Sequence, residues 1–164
     1  MRSTGEVMGV GATFAEAFVK SQLAASVKLP ACGKVFLSVK DSDKAKAIEI
    51  ARHLHEAGFQ LLATRGTAHA IETAGLPVQS VNKVTEGRPH IVDMIKNNEV
   101  ALIINTVEEK RQAIGDSRSI RTSGLQARVT MYTTIWGAEA AAEGILNNRD
   151  LMVYSIQELH QQLH

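Results

Sequence analysis

The sequence predicts an α/β protein: a three-layer, Rossmann-like domain with a mainly parallel five-stranded sheet and helices on both faces. Three observations predict it. Short apolar runs of strand length recur along the 164 residues, amphipathic stretches of helical spacing separate them, and polar or glycine-containing turns mark the junctions. Strands joined by helices at this pitch pair in parallel through right-handed crossovers, and helices then cover both faces. With 45% hydrophobic residues the chain has enough apolar surface for one full core.

The opening Met1-Arg2-Ser3-Thr4-Gly5-Glu6-Val7-Met8-Gly9-Val10-Gly11 has neither helical nor strand periodicity and reads as a cut edge. From Thr13 to Ala25 the residues Phe14, Ala17, Phe18, Leu23 and Ala24 recur at helical spacing and predict a leading helix. Residues 1–30 are therefore assigned to the tail of a preceding domain with a linker helix, and residues 31–164 to the α/β domain proper.

Val35–Val39 is the first strand, followed by the polar turn Lys40–Lys44 and an amphipathic helix through Ala45, Ile48, Ile50, Ala51 and Leu54 to Gly58. Phe59–Ala63 with a helix through Ile71, then Val78–Val81 with a helix through Ile91, Met94 and Ile95, repeat the unit. Val100–Ile104 precedes a helical region around Ile120 to Ala127, and Val129–Tyr132 precedes the alanine-rich Ala138–Leu146. A last helix is expected over Ser155–Leu163; packing on the sheet is its simplest role, capture of a partner the competing one.

Composition narrows the function classes. A net charge of +1 and a pI near 7.9 give no broad basic field for nucleic acid. No apolar run reaches the ~20 residues that span a bilayer, and no leader pattern opens the chain, so no membrane partner and a cytoplasmic location are expected. The single Cys32 excludes an internal disulfide and reads as structural filler. His53 and His55 are two apart on a helix and face different ways, while His160 and His164 lie at a terminus without a third ligand, so no metal site is expected. Gly9-Val10-Gly11-Ala12-Thr13-Phe14 precedes a strand instead of following one and reads as a linker, not a dinucleotide loop.

The candidate site follows from the rule that open parallel sheets bind ligands outside the carboxyl ends of their strands. Thr64-Arg65-Gly66-Thr67, between a strand and a helix, supplies two hydroxyls, a glycine that admits a close backbone, and helix N-terminal N–H groups. The two threonines could instead simply cap the helix. Around this cradle the strand ends add Lys40, Asp41, Ser42, Asp43 and Lys44, then Asn82, Lys83 and Arg88, then Asn105 and Thr106, then Thr133 and Thr134. Donors dominate and catalytic His or Cys is missing, a set suited to a phosphorylated metabolite.

Several longer stretches carry a resemblance: Arg2–Gly9, Thr13-Phe14-Ala15-Glu16-Ala17, Val81-Asn82-Lys83-Val84, Glu86-Gly87-Arg88-Pro89-His90-Ile91, Ile103-Ile104-Asn105-Thr106 and Tyr132-Thr133-Thr134. Across essentially its whole length the chain resembles the C-terminal allosteric domain of the large subunit of carbamoyl phosphate synthetase, a methylglyoxal-synthase-like domain. The resemblance implies a regulatory module without catalytic residues that binds UMP or IMP. It implies phosphate and ribose contacts at Lys44, Thr64, Gly66, Thr67 and Lys83, base-side contacts at Asn105 and Thr106, an effector-response role for Ser38, and an ornithine-side role for Thr133. It further implies, as partners, the remainder of the large subunit and a small glutaminase subunit, oligomer contacts through this domain, and ATP with Mg or Mn in the parent enzyme but no cofactor here. Val107, where a threonine follows the Asn-Thr pair in the family pattern, bears on base recognition, and Met131, where a tyrosine lines the ornithine pocket, bears on the ornithine response.

The alternative is a methylglyoxal synthase, a lyase acting on dihydroxyacetone phosphate through a similar cradle. That chemistry needs a carboxylate to move protons and a histidine to polarise the carbonyl. The family's Gly-Gly-Asp turn is replaced by Glu86-Gly87-Arg88-Pro89, and Lys40-Asp41-Ser42-Asp43 contains no histidine. The run Glu108–Arg111 reads as a solvated loop whose Lys110 or Arg111 is a further candidate for the effector.

Overall fold

A computed structural model of the chain describes residues 5–83, 86–107, 111–147 and 155–161. The expectations placed on Arg2–Thr4, Val84, Glu108–Lys110 and the end of the last helix lie outside the described residues. Strands β1 (Lys34–Ser38), β2 (Gln60–Ala63), β3 (Gln79–Ser80), β4 (Leu102–Asn105) and β5 (Thr130–Tyr132) form one sheet in the order β3-β2-β1-β4-β5. Every pairing is parallel. The helices are α1 (Phe14–Ala24), α2 (Lys44–Glu56), α3 (Arg65–Thr73), α4 (Ile91–Lys96), α5 (Arg111–Gln126), α6 (Ile135–Asn147) and α7 (Ile156–Gln161), with a 3-10 turn at Asp41–Asp43.

Alternation along the central strands divides the core in two. Val35 and Leu37 of β1 join Leu61, Ala63, Leu102 and Ile104 on one face, where α2, α3 and α6 cover them with residues such as Ile50, Leu54, Ile71 and Ala138. Phe36, Leu62 and Ile103 point the other way, onto Ile91 and Ile95 of α4 and Ile120 of α5. Because both faces are buried, β1 and β4 read as unbroken apolar runs and not as alternating ones.

Helix α1 packs outside α6, where Gly144 admits it: a Cβ at that position would collide with Val19 Cγ2. Gly9 lies against the Ala17 carbonyl with the same intolerance of a side chain, so Gly9 and Gly11, at the end of the segment read as a cut edge, pack on α1.

Three expectations are revised. The third strand shrinks from Val78–Val81 to Gln79–Ser80, because it pairs only with β2 and both its residues are exposed at the sheet edge. Helix α5 starts at Arg111, nine residues before the expected Ile120. That early start places Arg111 on a helix and not in the solvated loop. Cys32 is exposed, so it fills no part of the core. As for the last helix, its described side chains are exposed apart from a half-buried Leu159. No helix among the described residues is long and apolar enough to cross a membrane.

Candidate functional site

The sheet order reverses direction between β1 and β4: from β1 the chain winds outward through β2 to β3, then returns to the other side of β1. At such a switch point the connections leave the two strands on opposite faces and open a crevice at the carboxyl ends. A cleft of about 190 Å³ lies there, lined by residues that follow β1, β2 and β4 together with Lys83 and the facing surface of α5.

Its floor is stitched by side chains. The Val39 N–H donates to Thr67 Oγ1 at 3.3 Å, and the Lys40 N–H donates to Thr106 Oγ1 at 3.1 Å, so the chain leaving β1 is held by α3 on one side and by the residue after β4 on the other. Thr64 Oγ1 donates to Thr67 Oγ1 at 3.3 Å, which leaves the Thr67 proton to give to a third group. Thr64 is the N-cap residue of α3, yet its side chain makes no capping bond. The two buried hydroxyls therefore border the cleft, and simple helix capping does not account for them. The first N–H groups of α3, at Arg65 and Gly66, have no acceptor within the helix and complete an anion-binding end.

Lys40, Lys44 and Lys83 all line the cleft, and Lys44 and Lys83 approach it from either side of the α3 start. Lys44, the first residue of α2, brings Nζ over Gly66, 3.7 Å from where a Cβ would stand, and pairs with Asp41 Oδ1 at 2.7 Å. Lys83 enters from the loop after β3, whose shape Glu86 sets. Glu86 Oε2 accepts the Lys83 backbone N–H at 2.9 Å while its Oε1 accepts from Arg65 Nη2 at 2.7 Å, tying the Lys83 loop to the start of α3. Accepting that backbone N–H, with the Arg65 guanidinium beside it, holds the Glu86 carboxyl below its usual range.

Opposite the cradle, Asn105 ends β4 and is 2% exposed. Its Oδ1 accepts from Ser117 Oγ at 3.4 Å and its carbonyl accepts from Arg121 Nη2 at 3.1 Å, whereas Nδ2 has no partner among the described residues. Buried polar atoms are nearly always satisfied, so this amide nitrogen leaves an unspent donor on the cleft wall.

Lys44, Thr64, Gly66, Thr67, Lys83, Asn105, Thr106 and Ser38 thus all border one cleft. Thr133 does not. It is exposed beyond β5, and Thr134 spends its hydroxyl on the Gly137 N–H as the cap of α6, since the fifth strand lies one place too far from the switch point. Arg65 is drawn away by Glu86, Asn82 pairs with His90 as a β-bridge, and Arg88 is largely exposed near Asp93. None of these three lines the cleft. Asp116, Ser117 and Ile120 of α5, in contrast, form a wall that the expected helix boundary missed.

Residues 46–133 match the family described as MGS-like domain. The chain belongs to that family. The MGS-like match runs from α2 to the end of β5 and includes the α3 cradle, Lys83 and Asn105. Over 163 residues the chain is 64% identical to a carbamoyl phosphate synthase large chain of Ralstonia nicotianae, covering 99% of this chain and 15% of that protein. Large chains of the same name from Pasteurella multocida and Neisseria meningitidis serogroup A are 55% and 53% identical over the same coverage. The MGS-like chain therefore spans about 15% of the length of the curated relatives it matches.

Proposed function

We propose that this MGS-like chain is the allosteric regulatory domain of a glutamine-dependent carbamoyl phosphate synthase large chain, and that its cleft binds a nucleoside monophosphate such as UMP or IMP. The observation that carries this reading is the convergence of Lys44, Lys83, the Thr64 and Thr67 hydroxyls and the α3 N-terminus on one end of the cleft, with the orphaned Asn105 amide at the other. A dianionic phosphate suits the first set, and a base or sugar oxygen suits the second. Relatives that carry the synthase name along nearly the whole of this chain support the parentage.

In this reading the chain performs no chemistry of its own. ATP with Mg or Mn, and the small glutaminase subunit, belong to the rest of a cytoplasmic assembly, which oligomerises through this domain. The carboxylates bordering the cleft are Asp41 and Asp116, and no histidine lies among its described lining residues. Regulation is linkage: an effector that binds one arrangement of the domain against the synthetase body more tightly shifts activity by that difference, typically ~1–3 kcal/mol. Thr133, exposed past the end of β5, would face the body and ornithine instead of the nucleotide, whereas Met131 packs inward on the Phe36 and Ile103 core.

Calorimetric titration with UMP, IMP and ornithine, beside an assay with dihydroxyacetone phosphate, tests the proposal. Nucleotide binding without methylglyoxal formation is expected. Product formation at an enzymatic rate would replace the sensor with the lyase.

A further inference from the structure

Of the three lysines that line the cleft, Lys44 and Lys83 are not in the same electrostatic state. Lys83 has no ion pair among the described residues, whereas Lys44 Nζ is 2.7 Å from Asp41 Oδ1. Their spacing explains the pair: Asp41 opens the 3-10 turn and Lys44 opens α2 three residues later, so both side chains emerge on one side of the chain at the cleft mouth. Because Lys44 Nζ stands over Gly66 at the start of α3, a carboxylate bound to it occupies the border of the position best suited to a phosphate oxygen.

We infer that Asp41 is a resident counter-ion, an autoinhibitory contact that an incoming phosphate must displace from Lys44. The inference rests on the nucleotide-sensor reading and adds to it how affinity is set. Phosphate and carboxylate carry like charges and compete for the same ammonium, so binding turns Asp41 outward. Its side chain is 76% exposed and needs no cavity to turn into. Since the exchange swaps one anion partner of Lys44 for another, net binding strength is held below what the cradle alone would give, and Asp41 recloses on Lys44 as the ligand leaves.

Exposed ion pairs are weak, which sets the scale of the effect. Asp41→Asn is expected to bind inorganic phosphate and UMP about two- to fivefold more tightly than the wild-type chain by calorimetry. In a Lys44→Met background the same substitution is expected to give no such gain, because the competition acts through that ammonium. A gain in affinity cannot come from damage to the fold. Unchanged or weaker binding by Asp41→Asn, with normal binding by the wild type, overturns the counter-ion and leaves the sensor standing. An equal gain with and without Lys44 also overturns it, since the effect would then be a general field. Binding of neither probe by wild type or variant overturns both readings.

Discussion

Lys44, Glu86 and Asn105 divide the work of the cleft at the scale of single residues. Lys44 supplies charge, and its removal has a direct cost. Lys44→Ala should weaken UMP or IMP binding by ~1.5–3 kcal/mol, the scale of a hydrogen bond to a charged group, and unchanged affinity in calorimetry would remove the phosphate from this end. Glu86 supplies position. Its carboxyl is held below the ordinary value of 4.5, so the ionised form favours the fold; that contribution is full above the unfolded value and is lost as pH falls through the folded one. Glu86→Gln should therefore cost about 0.5–1 kcal/mol at neutral pH, discounted for the exposed Arg65 partner, and the difference should shrink in urea melts run below pH ~4.3. That Lys44, Thr64 and Thr67 border the cleft was legible in the sequence because strand ends followed by helix starts can be read in residue order. Glu86 was not, since its two partners are set by loop geometry and not by spacing.

The elements differ in how plainly the chain spells them. Helix α2 buries Ala47, Ile50, Ala51 and Leu54, an apolar stripe that reads directly. Helix α5 buries Asp116, Ser117, Ile120, Ser123 and Gly124, the same helical spacing written mostly in small and polar residues. A hydrophobic pattern search passes over such a stripe, and with it the Asp116 and Ser117 wall of the cleft. Small residues there serve proximity: a Cβ on Gly124 would stand 2.9 Å from Ile103 Cδ1. The other close contact, between α1 and α6, is testable. Gly144→Ala should destabilise the chain by about 1–3 kcal/mol in denaturant unfolding by pushing Val19 outward. Because the contact lies away from the cleft, nucleotide affinity at low temperature should stay within error of the wild type.

For the whole molecule, sheet order mattered most. The sequence shows that strands and helices alternate, and so predicts the fold class, but it does not number the strands across the sheet. The order β3-β2-β1-β4-β5 removes Thr133 and Thr134 from a cleft that their place after a strand end had suggested. It also joins the cleft to both cores, since β1 and β4 carry residues of each. Ligand binding should therefore protect the molecule as one unit. UMP at a hundredfold excess over its Kd should raise the unfolding free energy by about 2.7 kcal/mol, read as one shifted thermal transition by circular dichroism. Two transitions, only one of them shifted, would show that the faces unfold separately.

The stitching of Val39 and Lys40 to Thr67 and Thr106 has a mechanical consequence. A crevice between two diverging strands would ordinarily behave as a pair of jaws, spreading as something enters. Here the chain leaving the central strand is riveted to α3 on one side and to the end of β4 on the other, so widening would have to break hydrogen bonds on both sides at once. In the proposed sensor a signal would travel by the parts above the rivets, the Asp41–Asp43 turn, Lys83 and α5, with the sheet as their frame.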